Sequence, residues 1–430
     1  AVRPVKKAKI VNVYKNGRRF WPKRKKGRIL RKHLEKYNKY SPKWAFLCKT
    51  CRFCPARRGA REEGDAMEYR KLPKGTEEIG IIGLGNSSLG DAREKEAQAT
   101  VELALENGVN YFDMAAGDAR PFAAYGRAVA GSRSKVYYQV HFGADYRTGK
   151  YGWTLELEAI RRSVAWQLEA LKTDYIDFGF LHCIDEVADL ETAREHGTLE
   201  YLKTLKRQGV VRHIGLSSHT PQVVHKVLDM GLIDMLMFSI NPAYDYRHGE
   251  FAIGEVDERQ ALYRRCEAEG VGISVMKAFS GGQLLRAATS PFGQALSEYQ
   301  CMQYALDKPG VLTVLPGVRN RQDVRRVLGF LTAGPEARDY SVLGTFAPQD
   351  AAGVCVYCNH CQPCPAGLDI GLVNKYYDLA RAGDALAKNH YANLGKTAAA
   401  CVGCGHCDAR CPFHVKQAQR MKEICAYFGA

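Results

Sequence analysis

Eight short apolar runs recur between residues 81 and 317, each bounded by turn residues and followed by a stretch of helical periodicity. They are "IIGLGN" (81–86), "NYFDMA" (110–115), "KVYYQVH" (135–141), "YIDFGFLH" (175–182), "HIGLSS" (213–218), "MLMFSIN" (235–241), "GISVMKA" (272–278) and "VLTVLPG" (311–317). Near-continuous apolar character is what parallel strands buried on both faces require, and the separations leave room for a crossover helix each time. Eight such units predict an α/β chain folded as a (β/α)8 TIM barrel. A Rossmann sheet is the alternative, because "GLGNSS" approaches a dinucleotide fingerprint, but Ser88 stands where the third glycine belongs. Between the strands, Asp91 with Glu94 forms a capping-box pattern and Gly108 sits where a C-terminal cap belongs. Ile160, Val164, Leu168 and Leu171 follow helical spacing and should face the strands.

At 430 residues and 46% hydrophobic, the chain can bury a sizeable core in two or three domains. No apolar run approaches the ~18 residues of a membrane span, and the N-terminus is charged where a secretory signal would be apolar. The expected location is the cytoplasm, without a membrane partner. Residues 1–65 hold 22 Lys and Arg against 4 Asp and Glu, so the basic balance of the whole chain belongs to this segment alone. Its "GRRFWPKRKKGRILRKHLEKYNKY" mixes cations with aromatics, as a nucleic-acid arm would. Cys48, Cys51 and Cys54 supply three metal ligands where a site needs four. Because Glu62-Glu63-Gly64 before Met67 resembles an encoded ribosome-binding site, residues 1–66 are expected to be translated upstream sequence rather than native protein. The resulting division is a basic extension (1–66), a barrel (67–340) and a smaller domain (341–430).

In a barrel of this type the active site lies at the C-terminal ends of the strands. Asp113, His141, His182, Ser217, Ser218, Asn241 and Lys277 each end, or nearly end, a predicted strand. At these residues "NYFDMAAG", "LEALKTDYIDFGFLH", "GVVRHIGLSSHTP", "VMKAFSGGQLL" and "LPGVRNRQDVRRVL" resemble, in order, the signature stretches of the aldo-keto reductases. The similarity covers about residues 67 to 330.

That resemblance implies hydride transfer between NADP or NAD and a small carbonyl compound, using an Asp, Tyr, Lys and His tetrad. Asp113 and His182 match the Asp and His positions, but Asp118 stands at the Tyr position and His141 at the Lys position. The departure matters because the Lys helps the Tyr hydroxyl to protonate the developing alkoxide. Either Tyr125 resumes the tyrosine role after an insertion, or His141 is itself the proton donor, imidazole titrating near neutrality without a helper cation. We favour His141. The resemblance also implies that Ser217, Ser218 and Asn241 hold the nicotinamide amide. Ser280, Gly281 and Gly282, with Pro316, Gly317, Arg319 and Arg321, would then bind the cofactor's phosphates. The two arginines suit the extra phosphate of NADP.

Fifteen cysteines are present, eleven of them in three CxxC clusters, a pattern of metal ligation in a reducing compartment rather than of disulfides. "CVGCGHCDARCP" has the CxxCxxCxxxCP spacing of two-cluster bacterial ferredoxins, in which the fourth Cys ligates the other cluster. Cys401, Cys404 and Cys407 would share a [4Fe-4S] cluster with Cys364, while Cys411 completes the one held by Cys355, Cys358 and Cys361. The first run is shortened to CxxCxxCxxCP, and four-cysteine zinc is the alternative ligand chemistry. "DIGLVNKYYDLARAGD" is the helical spacer of a small α-helical ferredoxin-like domain. Cys183, Cys266, Cys301 and Cys425 are expected to be packing residues.

Clusters pass single electrons whereas nicotinamide exchanges a hydride, so direct coupling needs a converter such as a flavin, for which no motif is visible. The expected function is therefore an oxidoreductase barrel with a dicluster domain that exchanges electrons with a redox protein. The competing reading is a non-catalytic electron carrier or redox-responsive binding protein with a degenerate barrel site.

Overall fold

The computed structural model describes residues 67–246, 249, 251–345, 352–381 and 387–429, so the basic segment and Cys48, Cys51 and Cys54 lie outside the described residues. Eight barrel strands follow one another as β1 (Leu84–Gly85), β2 (Tyr111–Asp113), β3 (Tyr137–Phe142), β4 (Ile176–Leu181), β5 (Val211–Ser217), β6 (Met235–Ser239), β7 (Gly272–Met276) and β8 (Val311–Val314). Each falls on one of the eight apolar runs. Every neighbouring pair is parallel, and bridges Ile82–Val314 and Gly85–Gly317 join the first strand region to the last, closing the ring.

Burial on both faces explains the apolar runs. Tyr111, Phe178, Phe180, Met235, Met237 and Leu312 form the barrel interior, floored by Leu72 and Ile79 beside the hairpin of Tyr69–Lys71 with Glu78–Gly80. Their sequence neighbours Phe112, Leu181, Leu236 and Phe238 point outward into the layer beneath the helices. Side chains alternate across a strand, so each apolar run must serve two cores. Burying one such aromatic contributes on the order of 2 kcal/mol.

The helix Glu94–Glu106 departs from its expected start. Arg93 occupies the N-cap, without a side-chain cap, and Asp91 belongs to the preceding turn Leu89–Asp91, so the Asp91–Glu94 capping box does not form. Gly108 does turn the chain after the helix, at φ 86°. In Leu157–Leu171, Ile160, Val164 and Leu171 are buried, and Leu168 packs against the same core from a half-buried position.

The smaller region is helical, with Ile370–Arg381 on the expected spacer, then Ala387–Ala392, His406–Arg410 and Gln417–Phe428. Leu368, Ile370, Val373, Tyr377, Tyr391, Met421 and Ile424 make a core of their own. Asn374 ties two of the helices, its Nδ2 donating to Gln417 Oε1 at 2.9 Å. Val356, Cys411, Phe413 and Val415 instead join the core of the barrel. Tyr340 Oη bridges the two regions, donating to Asp307 Oδ2 at 2.8 Å and lying 3.3 Å from the Val356 carbonyl.

Candidate active site

Because all eight strands run the same way, their C-terminal residues collect at one mouth. Asp113 ends β2, His141 is the penultimate residue of β3, His182 follows β4, Ser217 ends β5 and Lys277 follows β7. Three of these are joined directly. His141 Nε2 lies 2.6 Å from Asp113 Oδ1, and His141 Nδ1 lies 2.9 Å from His182 Nδ1. The other nitrogen, His182 Nε2, is 2.9 Å from Tyr151 Oη. The result is a four-member relay that runs from Asp113, 3% exposed, through two buried imidazoles to Tyr151, 42% exposed.

Gln139 fastens the dry end. Its Nε2 donates to Asp113 Oδ1 at 2.9 Å, while its Oε1 accepts from Tyr111 Oη at 2.7 Å and Ser274 Oγ at 2.9 Å. These bonds span the barrel from β2 to β7, so the carboxylate sits in a fixed polar layer above an apolar floor. Burial, followed by the neighbouring His141, holds His182 well below the ordinary histidine range, and it is neutral at pH 7. Burial, followed by the charges of Cys183 and Asp185, pushes the Tyr151 hydroxyl up to about 12. It keeps its proton near neutrality and is available as a donor.

Tyr151 is the residue sequence reasoning missed. It stands on a short hairpin inserted after β3, in which Ala144–Asp145 pairs with Gly152–Trp153. The turn carries Gly149 at φ 87°, a conformation that favours glycine, and "RTGK" was its readable signal. Gly143 allows the hairpin to close against β4. It has φ 124°, and a Cβ there would stand 3.2 Å from His182 Cβ. Trp153 Nε1 donates to the His182 carbonyl at 3.2 Å, which anchors the same hairpin over the relay.

Tyr125 is placed elsewhere. It faces the core from helix Arg120–Ala128, fully buried, with its ring 5.3 Å from Phe112 and no hydrogen-bond partner for its hydroxyl among the described residues. Burial raises its hydroxyl far above the ordinary range. Asp118, at the position where the resemblance expects Tyr, pairs with Arg120.

A second polar group adjoins the relay. His219 Nδ1 lies 2.9 Å from Asp185 Oδ2, and Cys183 Sγ is 3.4 Å from the same oxygen. Lys277 Nζ lies 3.2 Å from His219 Nε2. An ammonium can only donate, so His219 carries its proton on Nδ1 and donates it to Asp185. Burial works against the Asp185 charge, but the hydrogen bonds from the His219 side chain and backbone prevail and bring its carboxyl to about 2. Cys183 hydrogen-bonds here rather than simply packing, whereas Cys266 and Cys301 are fully buried in the core. Cys183, Lys277 and Ser280 all have positive φ, so backbone strain gathers at this mouth.

The expected cofactor stretches share a cleft of about 550 Å³, lined by Asp113, Lys277, Gly281, Gly282, Pro316, Gly317 and Arg319. Ser280 is buried beside it, with Oγ 3.3 Å from Gln283 Oε1. Internal bonds engage several other candidates. Asn241 Oδ1 caps Pro242–Asp245 and its Nδ2 donates to the Lys277 carbonyl at 2.8 Å. Ser218 Oγ donates to Asp185 Oδ1 at 3.2 Å, and Ser217 is buried at the end of β5. Arg319 pairs with Asp323 and Arg321 with Glu96, so a phosphate would compete with both carboxylates.

The cysteines divide into two groups. Burial pushes the Cys361 thiol above its ordinary range, and the nearby thiols of Cys355, Cys358 and Cys411, expected to share a cluster with it, add to the shift. Cys364, Cys401, Cys404 and Cys407 line a hollow with Leu368, Ile370 and Met421. Among the described residues, the only three His, Cys, Asp or Glu donors within 4.8 Å of one another are those of Cys183, Asp185 and His219. Four sulfurs around one zinc at about 2.3 Å would sit about 3.8 Å apart. The wider spacing therefore fits a multi-iron cluster better than a single zinc ion. N–H groups already point at two sulfurs, from Gln417 to Cys355 at 3.5 Å and from Gly403 to Cys401 at 3.4 Å.

Comparison with known proteins agrees with this architecture. The aldo/keto reductase family matches residues 80–295, and a 4Fe-4S dicluster domain matches residues 347–416. The uncharacterized oxidoreductase YqkF of Bacillus subtilis is 31% identical over 191 residues, which are 43% of this chain and 60% of that protein. The L-galactose dehydrogenase of Arabidopsis thaliana is 28% identical over 187 residues, 40% of this chain and 56% of that enzyme. The matches thus span less than two thirds of these relatives. Among solved structures, the holo form of an aldo-keto reductase from Bacillus halodurans superposes with a TM-score of 0.53 at 23% identity, covering 63% of this chain and 94% of its own, a likeness of fold. Among the described residues no helix is long and apolar enough to cross a membrane. With half of its length matched and the barrel closed as that family requires, the chain belongs to the aldo/keto reductase family and carries a 4Fe-4S dicluster domain after the barrel.

Proposed function

We propose that the barrel carries out nicotinamide-linked interconversion of a small carbonyl compound and its alcohol, and that the two clusters exchange electrons with a redox protein in the cytoplasm. The observation that carries the first half is the relay from Asp113 through His141 and His182 to Tyr151. A bound nicotinamide would supply the hydride to the carbonyl carbon. The chain's own residues supply the proton. A His141 protonated on both nitrogens would donate Nε2–H to the Asp113 carboxylate and Nδ1–H to His182 Nδ1. His182 then donates from Nε2 to Tyr151, whose O–H is left free to point at the substrate oxygen. One proton moves along each bond from His141 outward when the alkoxide forms, while Nε2–H stays on His141, leaving it neutral beside an ionised Asp113. The His141–Asp113 pair thereby does the work for which the family resemblance expects a lysine.

The iron–sulfur half rests on the two cysteine groups and on the dicluster match. Cys355, Cys358, Cys361 and Cys411 would hold one cluster, and Cys364, Cys401, Cys404 and Cys407 the other, each supplying single electrons. Anaerobic purification with iron, sulfide and bound-cofactor analysis tests this half. Comparing Tyr151→Phe with Tyr125→Phe on one carbonyl substrate tests the other, and equal losses in the two variants would overturn the relay.

A second reading, a redox-responsive binding protein, draws on the internal bonds that engage Asn241, Arg319 and Arg321. Titration with NADPH separates the two readings through the fluorescence of Trp153, which touches His182. Saturable quenching supports the reductase, and its absence at millimolar cofactor supports the binding protein.

A further inference from the structure

The hollow lined by Cys364, Cys401, Cys404 and Cys407 has otherwise apolar walls, Leu368, Ile370 and Met421 among them. Of its lining residues only His406, besides the cysteines, carries a polar side chain. His406 opens the short helix His406–Arg410, between Cys404 and Cys407 in sequence. Gly405 before it has φ 72°, a conformation that favours glycine, and turns the chain from the cysteine loop into that helix. The residue is half-buried, yet its Nε2 is shielded from solvent and has no hydrogen-bond partner among the described residues. A shielded ring nitrogen left unpaired is costly, and such atoms in folded proteins are nearly always paired. The wall side chains offer it no acceptor other than sulfur. The first cysteine group has a comparable donor, since Gln417 Nε2 lies 3.5 Å from Cys355 Sγ.

We propose that His406 donates a hydrogen bond from Nε2–H to a sulfur of the cluster held by Cys364, Cys401, Cys404 and Cys407, and thereby raises the reduction potential of that cluster. The inference rests on the dicluster reading given above. Four thiolates around an oxidised [4Fe-4S] core make a dianion, and one electron from an external reductant makes it a trianion. The added charge turns the sulfurs into better acceptors, so an N–H donor stabilises the reduced form more than the oxidised form. Nε2 carries a proton both in the imidazolium and in one neutral tautomer, so the role asks for no change of protonation.

The test uses the full-length holoprotein, purified without air, as wild type, His406→Leu and His406→Gln, with dithionite titration at one pH followed by electron paramagnetic resonance. In wild type two one-electron waves are expected. In His406→Leu one wave should fall until the reduced-to-oxidised ratio at a fixed poise drops at least threefold, about 28 mV for one electron, while the other stays in place. His406→Gln keeps a side-chain N–H and should recover at least half of that shift. Pulsed resonance on protein labelled with 15N in its histidine rings gives a second readout. The reduced wild type should show a histidine nitrogen coupled to a cluster, and His406→Leu should lose that coupling. Loss of half the iron in His406→Leu but not in His406→Gln would also support the assignment. Unmoved waves in His406→Leu, equal shifts of both waves, an unchanged nitrogen coupling, or loss of iron in both variants would overturn it. Iron and sulfide analysis of the wild type separates the two levels: a cluster-free protein refutes the dicluster reading itself, whereas a loaded protein with an indifferent His406 refutes only this inference.

Discussion

The barrel mouth and the cysteine lobe are built by opposite means. At the mouth, Asp113, His141, His182 and Tyr151 touch in sequence at 2.6 to 2.9 Å, the contact that proton transfer demands. In the lobe, Cys364, Cys401, Cys404 and Cys407 line one hollow, and among the described residues no three cysteine sulfurs lie within 4.8 Å of one another. A hydrogen-bonded chain is complete in its side chains, whereas a cluster site needs the cluster itself. Single substitutions should therefore act all-or-none at the mouth and by halves in the lobe.

The sharpest attempt to break this contrast is His182→Ala, which interrupts the relay in the middle. It should lower kcat/KM by about 10³-fold with iron content unchanged, as measured by steady-state kinetics and metal analysis of the same sample. Tyr151→Phe removes only the outer donor and should cost about 10²-fold, while Tyr125→Phe, which removes a hydroxyl without a partner among the described residues, should cost under about threefold. In the lobe, Cys411→Ser should reduce iron from about eight to about four atoms per chain while NADPH-dependent carbonyl reduction persists. Loss of both together would show that the regions are one machine.

The smallest effect concerns pH. Asp185 is held at about 2 in the folded chain, against an ordinary value of 3.8, and His219 supplies the shift against the opposing effect of burial. A depressed carboxylate stabilises the fold above its unfolded value, and that stability is lost as pH falls through the folded value. His219→Gln should therefore move the acid-unfolding midpoint upward by a few tenths of a pH unit, read by circular dichroism between about pH 2 and 4.

The barrel was legible because its signal is redundant. Eight runs each had to satisfy two cores, and the alternation of Tyr111 inward and Phe112 outward shows the constraint acting on adjacent residues. The strand-end position of Asp113, His141 and His182 followed from the same periodicity. Tyr151 was not legible, since its partner lies 31 residues away and the hairpin that carries it is a short loop feature between the third strand and its helix. The Asp91–Glu94 capping box failed because local pattern competes with packing, and the chain enters that helix at Glu94 through an uncapped Arg93. Arg319 and Arg321 looked available for phosphate, yet Glu96, which binds Arg321, comes from a helix more than two hundred residues away in sequence.

By itself, the sequence determined the eightfold alternation, the mouth at which Asp113, His141 and His182 end their strands, and the two sets of four cysteines, because periodicity and short spacing are local properties. Only the tertiary structure decided that Tyr151 adjoins His182 at the end of that hydrogen-bonded chain and that Tyr125 packs in the core. Those outcomes depend on which surfaces meet when the ring closes and the lobe docks, and hydrogen bonds between residues distant in sequence exist only after that packing is complete.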